Sequence, residues 1–153
     1  MNERICKKNR QKLSELGENY VIKQCGCPHC KKMRALVRLP LNFKCADIVC
    51  DFCGYLAQVK TTRVKNIASI PDRILGAAWD TQKERMDAAI YFPLFIVLIN
   101  DLDAYSIYCL SADLQNREMF KPRKPLSATA RRAGSQGFII DTSIVKNYFV
   151  TLY

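Results

Sequence analysis

One histidine, His29, is all that the 153 residues contain. Serine- or cysteine-based triads and histidine-rich metal centres need imidazoles, so neither class of chemistry is expected. Carboxylates are scarce too: 14 Asp and Glu stand against 24 Lys and Arg, a formal net charge of +10. That surplus fits a polyanionic partner, the alternative being a merely solvated basic surface. Long apolar runs are missing. The longest, AAIYFPLFIVLI from Ala88 to Ile99, contains Pro93 and is shorter than the ~18 residues of a membrane span. Its β-branched and aromatic content reads as a buried strand. The N-terminal MNERICKKNRQKLSEL lacks the apolar segment of a secretory signal, so a cytoplasmic protein without a membrane partner is expected. No internal repeat or low-complexity linker interrupts the chain. Its length suits a single domain, 1–153, with half its residues apolar and able to form a core.

Cysteine, by contrast, is plentiful, with eight residues. Without an export signal, spacing decides how to read them. Cys27 and Cys30 bracket C-P-H-C; Cys50 and Cys53 bracket C-D-F-C, followed by Gly54. Two C-x2-C pairs about twenty residues apart suit a structural zinc site, four thiolates filling a tetrahedral shell with no position left for chemistry. A zinc ribbon over about 25–54 is therefore expected. Cys25 and Cys45 each lie beside a pair and could substitute for a ligand. Cys109 falls in an apolar strand pattern and reads as core. His29, inside the first knuckle, is expected to be exposed or bonded to backbone rather than to metal.

The runs Phe43–Val49 and Tyr55–Thr62 are strand-like and flank the second knuckle, so the knuckle reads as the turn of a hairpin, with Gly54 available for positive φ. Alternation puts Gln58 and Lys60 on one face. A turn centred near residue 52 sets Asp47 roughly opposite Gln58. These residue types together suit phosphodiester hydrolysis. A hard divalent cation would be held by the Asp47 carboxylate, the Gln58 amide oxygen and the Val59 carbonyl, with Lys60 supplying charge near the phosphate. The plain alternative is a surface Asp and Lys on a zinc ribbon.

Elsewhere, KKNRQKLSELGENYVIKQ reads as an amphipathic helix carrying Glu15 and Glu18, either of which could reach the hairpin as a further carboxylate. SIPDRILGAAWDTQKERMDAAI reads as a second helix, capped by Ser69, with Pro71 in its first turn and a stripe of Ile74, Leu75, Ala78 and Met86. Lys83 and Arg85 would face outward. Strands follow at Tyr91–Asn100 and Ala104–Ala112, then a short helix in ADLQNREMF. The stretch Lys121–Gly137 reads as a long basic loop able to hug a phosphate backbone through Arg131 and Arg132. GFIIDTSIV and NYFVTLY read as edge strands or packing segments. The element order indicates a mixed α/β domain with a central sheet.

Four pieces of sequence, CPHC, ADIVCDFC, the QVK after it and the long RKPLSATARRAG, follow one another in an order and spacing that resemble the catalytic domain of DpnI-type methyl-directed restriction endonucleases, of the PD-(D/E)xK nuclease superfamily. The likeness covers nearly the whole chain. It implies an α/β fold, a restriction-endonuclease-like mixed sheet flanked by helices with an inserted zinc ribbon. It implies Asp47 as the metal-binding aspartate, Gln58 where the family has an acidic residue, Lys60 as the motif lysine, and Cys27, Cys30, Cys50 and Cys53 as zinc ligands. The expected activity is Mg²⁺-dependent cleavage of double-stranded DNA, directed to N6-methyladenine in GATC-type sites, in restriction of foreign DNA. Arg131, Arg132, Arg123 and Lys83 are the candidate DNA contacts. Three departures stand out. Gln58 is neutral and binds Mg²⁺ more weakly than a carboxylate. Ser135 stands where the family has a tryptophan. The chain ends before a winged helix could fit, so a separate winged-helix partner or a second copy of the chain would supply specificity. A non-catalytic zinc-ribbon DNA-binding module on the same fold is the alternative.

Overall fold

A 23-residue helix, α1 (Asn2–Gln24), opens the chain. In this computed structural model the described residues are 2–43, 45–129 and 136–153, with side chains described from residue 9 onward. The strands are β1 (Leu36–Arg38), β2 (Ile48–Cys50), β3 (Leu56–Arg63), β4 (Arg73–Gly76), β5 (Leu94–Ile99), β6 (Tyr105–Leu110), β7 (Phe120–Pro122), β8 (Phe138–Asp141) and β9 (Val150–Thr151). A second helix, α2 (Trp79–Asp87), lies between β4 and β5. The fold is mixed α/β.

The chain divides into two compact units. The first holds α1 and a six-stranded sheet in the order β1-β2-β3-β5-β6-β9. Only β3 and β5 run parallel; the other neighbours are antiparallel. Leu94 to Ile99 are buried at all six positions, as a strand covered on both faces requires. Ala57, Val59, Phe95, Val97, Ile99, Ile107 and Cys109 form one core cluster with Val21 of α1, and Leu13, Leu16 and Tyr20 pack against it. Odd-numbered residues of β3 therefore face α1, and Gln58 and Lys60 face the other way. Cys109 is core, as the sequence pattern indicates. Gly17 lets α1 come close to β3: a Cβ there would overlap the Thr61 side chain.

The second unit contains β4, α2 and a three-stranded sheet in the order β4-β8-β7. Here the structure departs from the sequence pattern. Residues 69–90 do not form one helix. Arg73–Gly76 is a strand paired antiparallel with β8, and the helix starts only at Trp79. The expected stripe fails at Leu75, which is 62% exposed, while Ile74 is buried. That is the alternation of a strand, and Ala78 then takes a left-handed φ of 62° before the helix begins. Lys83 is exposed as expected, whereas Arg85 is half-buried. The run 112–120 forms two short 3₁₀ turns, Ala112–Leu114 and Arg117–Met119, instead of a helix. Asn116 caps the second through the Glu118 N–H at 3.0 Å. β8 is the central strand of its sheet and not an edge. Its buried residues, Phe138 and Ile140, alternate with half-buried ones, a pattern that burial on one face produces at a sheet's centre as well as its edge.

Candidate active site and metal centre

The two knuckles are built alike. In each, the residue after the second cysteine donates its N–H back to the first: Lys31 to the Cys27 carbonyl and Gly54 to the Cys50 carbonyl, both at 2.9 Å. In each, the first cysteine's N–H reaches a carbonyl five residues on: Cys27 to Lys32 at 3.0 Å and Cys50 to Tyr55 at 2.8 Å. This folding turns both thiols of a knuckle to one side. The sulfurs of Cys27, Cys30, Cys50 and Cys53 all lie within 4.8 Å of one another. The separations Cys27–Cys53 and Cys30–Cys50 are 3.6 and 3.7 Å. Four sulfurs at the usual zinc distance of ~2.3 Å sit about 3.8 Å apart at the corners of a tetrahedron, so these two separations match that spacing and the group could hold zinc. Cys25 and Cys45 are outside the group. Burial pushes the Cys25 thiol up to about 11, the state of a core residue and not of a thiolate ligand. Burial also acts to raise Cys50, but the N–H groups of Cys53 and Phe52 outweigh it and bring that thiol down to about 7. His29 is exposed, its ring nearly parallel to that of Tyr55.

The second knuckle is the turn between β2 and β3. The register pairs Ile48 with Ala57 and Val49 with Leu56, and Asp47 immediately precedes the paired stretch. The Asp47 N–H also donates to the Ala57 carbonyl, at 3.0 Å, so Asp47 and Ile48 both stand against Ala57 in the manner of a β-bulge, and the regular register with Asp47 opposite Gln58 expected from the turn is not kept. Asp47 then leaves the ladder: its side-chain Oδ2, in place of a backbone carbonyl, accepts the Val59 N–H at 2.8 Å. With Oδ2 engaged, Oδ1 is the oxygen that can turn to a cation. Gln58 N–H bonds Pro93 in the direction of β5, so the backbone groups of Val59, next in the strand, point toward β2 and Asp47. The Gln58 amide nitrogen reaches the Cys45 carbonyl at 3.4 Å, which leaves Oε1 as its acceptor atom. Lys60 lies two residues along the same face, half-buried. A carboxylate, an amide and a backbone carbonyl, residue types that can act as hard-oxygen ligands, thus lie on neighbouring positions of the hairpin.

Behind this group stands an ion-pair network that the sequence only half announces. Glu18 of α1, 8% exposed, accepts from Arg38 Nε at 2.8 Å. Glu15 lies 4.0 Å from the same guanidinium. Burial first, then the negative charge of Asp47, raise the Glu18 carboxyl above its ordinary range, while Arg38 opposes them. Arg38, on β1 opposite Ile48, is the residue that no motif singles out. Its only sequence signal is a cation among strand residues near the aspartate.

The candidate DNA contacts fare differently. Arg131 and Arg132 lie outside the described residues. Arg123 is exposed, and its backbone ties down the end of the loop: its N–H reaches Gly137 at 2.9 Å and its carbonyl accepts from Gln136 at 2.7 Å. Lys83 is exposed but its ammonium is paired with Asp87 at 2.9 Å, and Arg117 shares that carboxylate at 2.6 Å. Among the described residues no helix is long and apolar enough to cross a membrane. The thiol group, the hairpin that carries Asp47 beside Gln58-Val59-Lys60, and the mixed sheet beneath them agree with one comparison: residues 2–150 match the model of the DpnI, or Dam-replacing, family, and the chain belongs to that family.

Proposed function

We propose that the protein is a Mg²⁺-dependent DNA endonuclease with structural zinc, directed to adenine-methylated GATC-type sites and acting in restriction of foreign DNA. Membership of the family supports a restriction nuclease with DNA as its partner. The observation that carries the reading is one side-chain bond in this hairpin: the Asp47 carboxylate accepts the Val59 N–H, which puts it beside Gln58, with Lys60 two residues on. Asp47 Oδ1, Gln58 Oε1 and the Val59 carbonyl would hold Mg²⁺. When bound, the ion supplies Lewis-acid stabilisation of the phosphoryl charge and lowers the pKa of a water. Asp47 is held rigidly by the Val59 N–H, so its other oxygen is oriented before a ligand arrives. Lys60 brings positive charge to the non-bridging oxygens as charge develops at phosphorus, and orients the attacking water in line with the leaving oxygen. The Cys27–Cys30–Cys50–Cys53 group takes no part in the reaction and holds the register of β1, β2 and β3.

The decisive test incubates the protein with Mg²⁺ or Mn²⁺ on matched methylated and unmethylated plasmids, beside Asp47→Ala and Lys60→Ala. Cleavage confined to the methylated plasmid, and reduced at least ~100-fold in both variants, is expected, in line with what loss of one electrostatic group costs. Undiminished nicking by either variant would remove these residues from the mechanism. Salt-sensitive DNA binding without cleavage, indifferent to Mg²⁺, would establish instead a non-catalytic zinc-ribbon module. The Gln58 amide is the feature that favours that second reading.

A further inference from the structure

The likeness of the two knuckles has one exception, at the residue after the second cysteine. Gly54 occupies it in one knuckle with φ 78° and open space where a side chain would go. Lys31 occupies it in the other with φ 65°. The position is left-handed in both, which glycine adopts without strain and lysine does not. A long cation therefore stands where the local geometry favours glycine. Its Nζ donates to the Pro28 carbonyl at 2.7 Å, which leaves two N–H donors and the full charge facing water. Arg34, three residues on, repeats the exception with φ 55° and is likewise exposed. Between them Lys32 is exposed, its ammonium 4.3 Å from the centre of the Phe52 ring. Phe52, from the other knuckle, is 66% exposed. A ring this exposed contributes little to the core, and one cation, Lys32, lies over its face.

We propose that this knuckle tip is a DNA-contact surface, in which Lys31, Lys32 and Arg34 bind phosphates of a duplex and Phe52 packs into the groove between them. Charge complementarity commits the surface to DNA: the tip holds three cations against the one nearby carboxylate of Asp51, on a chain of net charge +10. The shape agrees, since an exposed ring with Lys32 over its face, and Lys31 and Arg34 exposed on the same stretch of chain, suits apolar base edges and sugars beside a phosphate row. The reach agrees too. Cys50 is three residues from Asp47 along one strand, about 10 Å. That is a fraction of the ~34 Å of a duplex turn, so one duplex can meet both the tip and the Asp47 group. The inference rests on the reading of the chain as a DNA-acting protein, and it assigns residues that reading does not use.

The test measures binding of the zinc-loaded full chain to a fluorescent duplex without Mg²⁺, over a salt series, for the wild type, Lys31→Gly, Lys32→Ala and Phe52→Ala. Melting temperature and zinc content are read for each. Lys31→Gly relieves the left-handed strain, so its melting temperature should hold or rise while affinity near ~0.1 M salt falls severalfold. The slope of log K against log salt should become about one unit shallower for each phosphate that is no longer neutralised. Phe52→Ala should weaken binding severalfold with the slope unchanged, the signature of an apolar contact. Wild-type affinity and slope in all three folded, zinc-loaded variants would overturn the tip as a DNA surface and leave the proposed nuclease function standing. A wild type that binds no duplex would overturn both. Self-association of the wild type, lost in Phe52→Ala with DNA affinity unaltered, would reassign the tip to a protein contact and overturn the proposal.

Discussion

Gln58 is the residue on which the proposed chemistry turns. In the proposed site its amide oxygen would join Asp47 Oδ1 and the Val59 carbonyl, but it brings no charge. Gln58→Glu would add a carboxylate there and lose the bond to the Cys45 carbonyl, which a carboxylate cannot donate to. The added charge wins once a divalent cation is present, because attraction at contact distance exceeds one weak 3.4 Å hydrogen bond. The Mg²⁺ concentration for half-maximal cleavage should fall about tenfold, equivalent to ~1.4 kcal/mol. A metal titration of the two proteins checks this, and an unchanged midpoint would mean that Gln58 does not face the cation. Residue-level chemistry of this kind is legible in the sequence where it depends on strand alternation, as for Gln58 and Lys60. It is not legible for Arg38, because a side chain that bridges a helix and a strand leaves no local pattern.

Among the elements, β1 and β2 are three residues each, too short to hold a sheet edge by hydrogen bonds alone. The four thiols tie the turns at their ends. Removing zinc by chelation, or making Cys30→Ser, should destabilise the protein by about 3 kcal/mol or more, a fall in melting temperature of roughly 6–12 °C for a chain of this size. Cleavage should be lost before global unfolding, since Asp47 is set by this register. Calorimetry with and without chelator decides it. In the other unit, β8 ends at Asp141. Hydrogen bonds from the Ser143 hydroxyl, then from Lys121, and the Ser143 N–H bring its carboxyl down to about 2. A folded-state value below the unfolded ~3.9 means the stabilisation is complete above about pH 4 and is lost as pH falls toward 2. Urea midpoints measured over that window should fall for the wild type and stay flatter for Asp141→Asn. The helix expected over 69–90 shows why elements are harder to read than residues. Ile74 and Leu75 fit a helical stripe on paper, yet the partner strand β8, more than sixty residues away, makes them alternate as a strand.

For the whole molecule, the net charge of +10 sets the strength of attraction to a polyanion. If about six or more phosphates are neutralised, affinity for a duplex should fall by about 10³ or more between roughly 0.05 and 0.2 M salt. A shallow dependence would mean that few of the cations touch DNA. Family, mixed α/β class, the four-cysteine group and the hairpin turn between β2 and β3 could all be reached from the sequence, because each rests on short-range spacing: two residues between cysteines, two between residues on one strand face, a turn of known centre; the bulge at Asp47 could not. The tertiary structure alone decided the rest. It split the strands into a six-stranded and a three-stranded sheet, made β8 central, anchored Asp47 on the Val59 N–H and set the buried Glu18 against Arg38. Those features depend on which distant segments meet, and long-range pairing is chosen by the sum of many weak interactions that no local window of sequence contains.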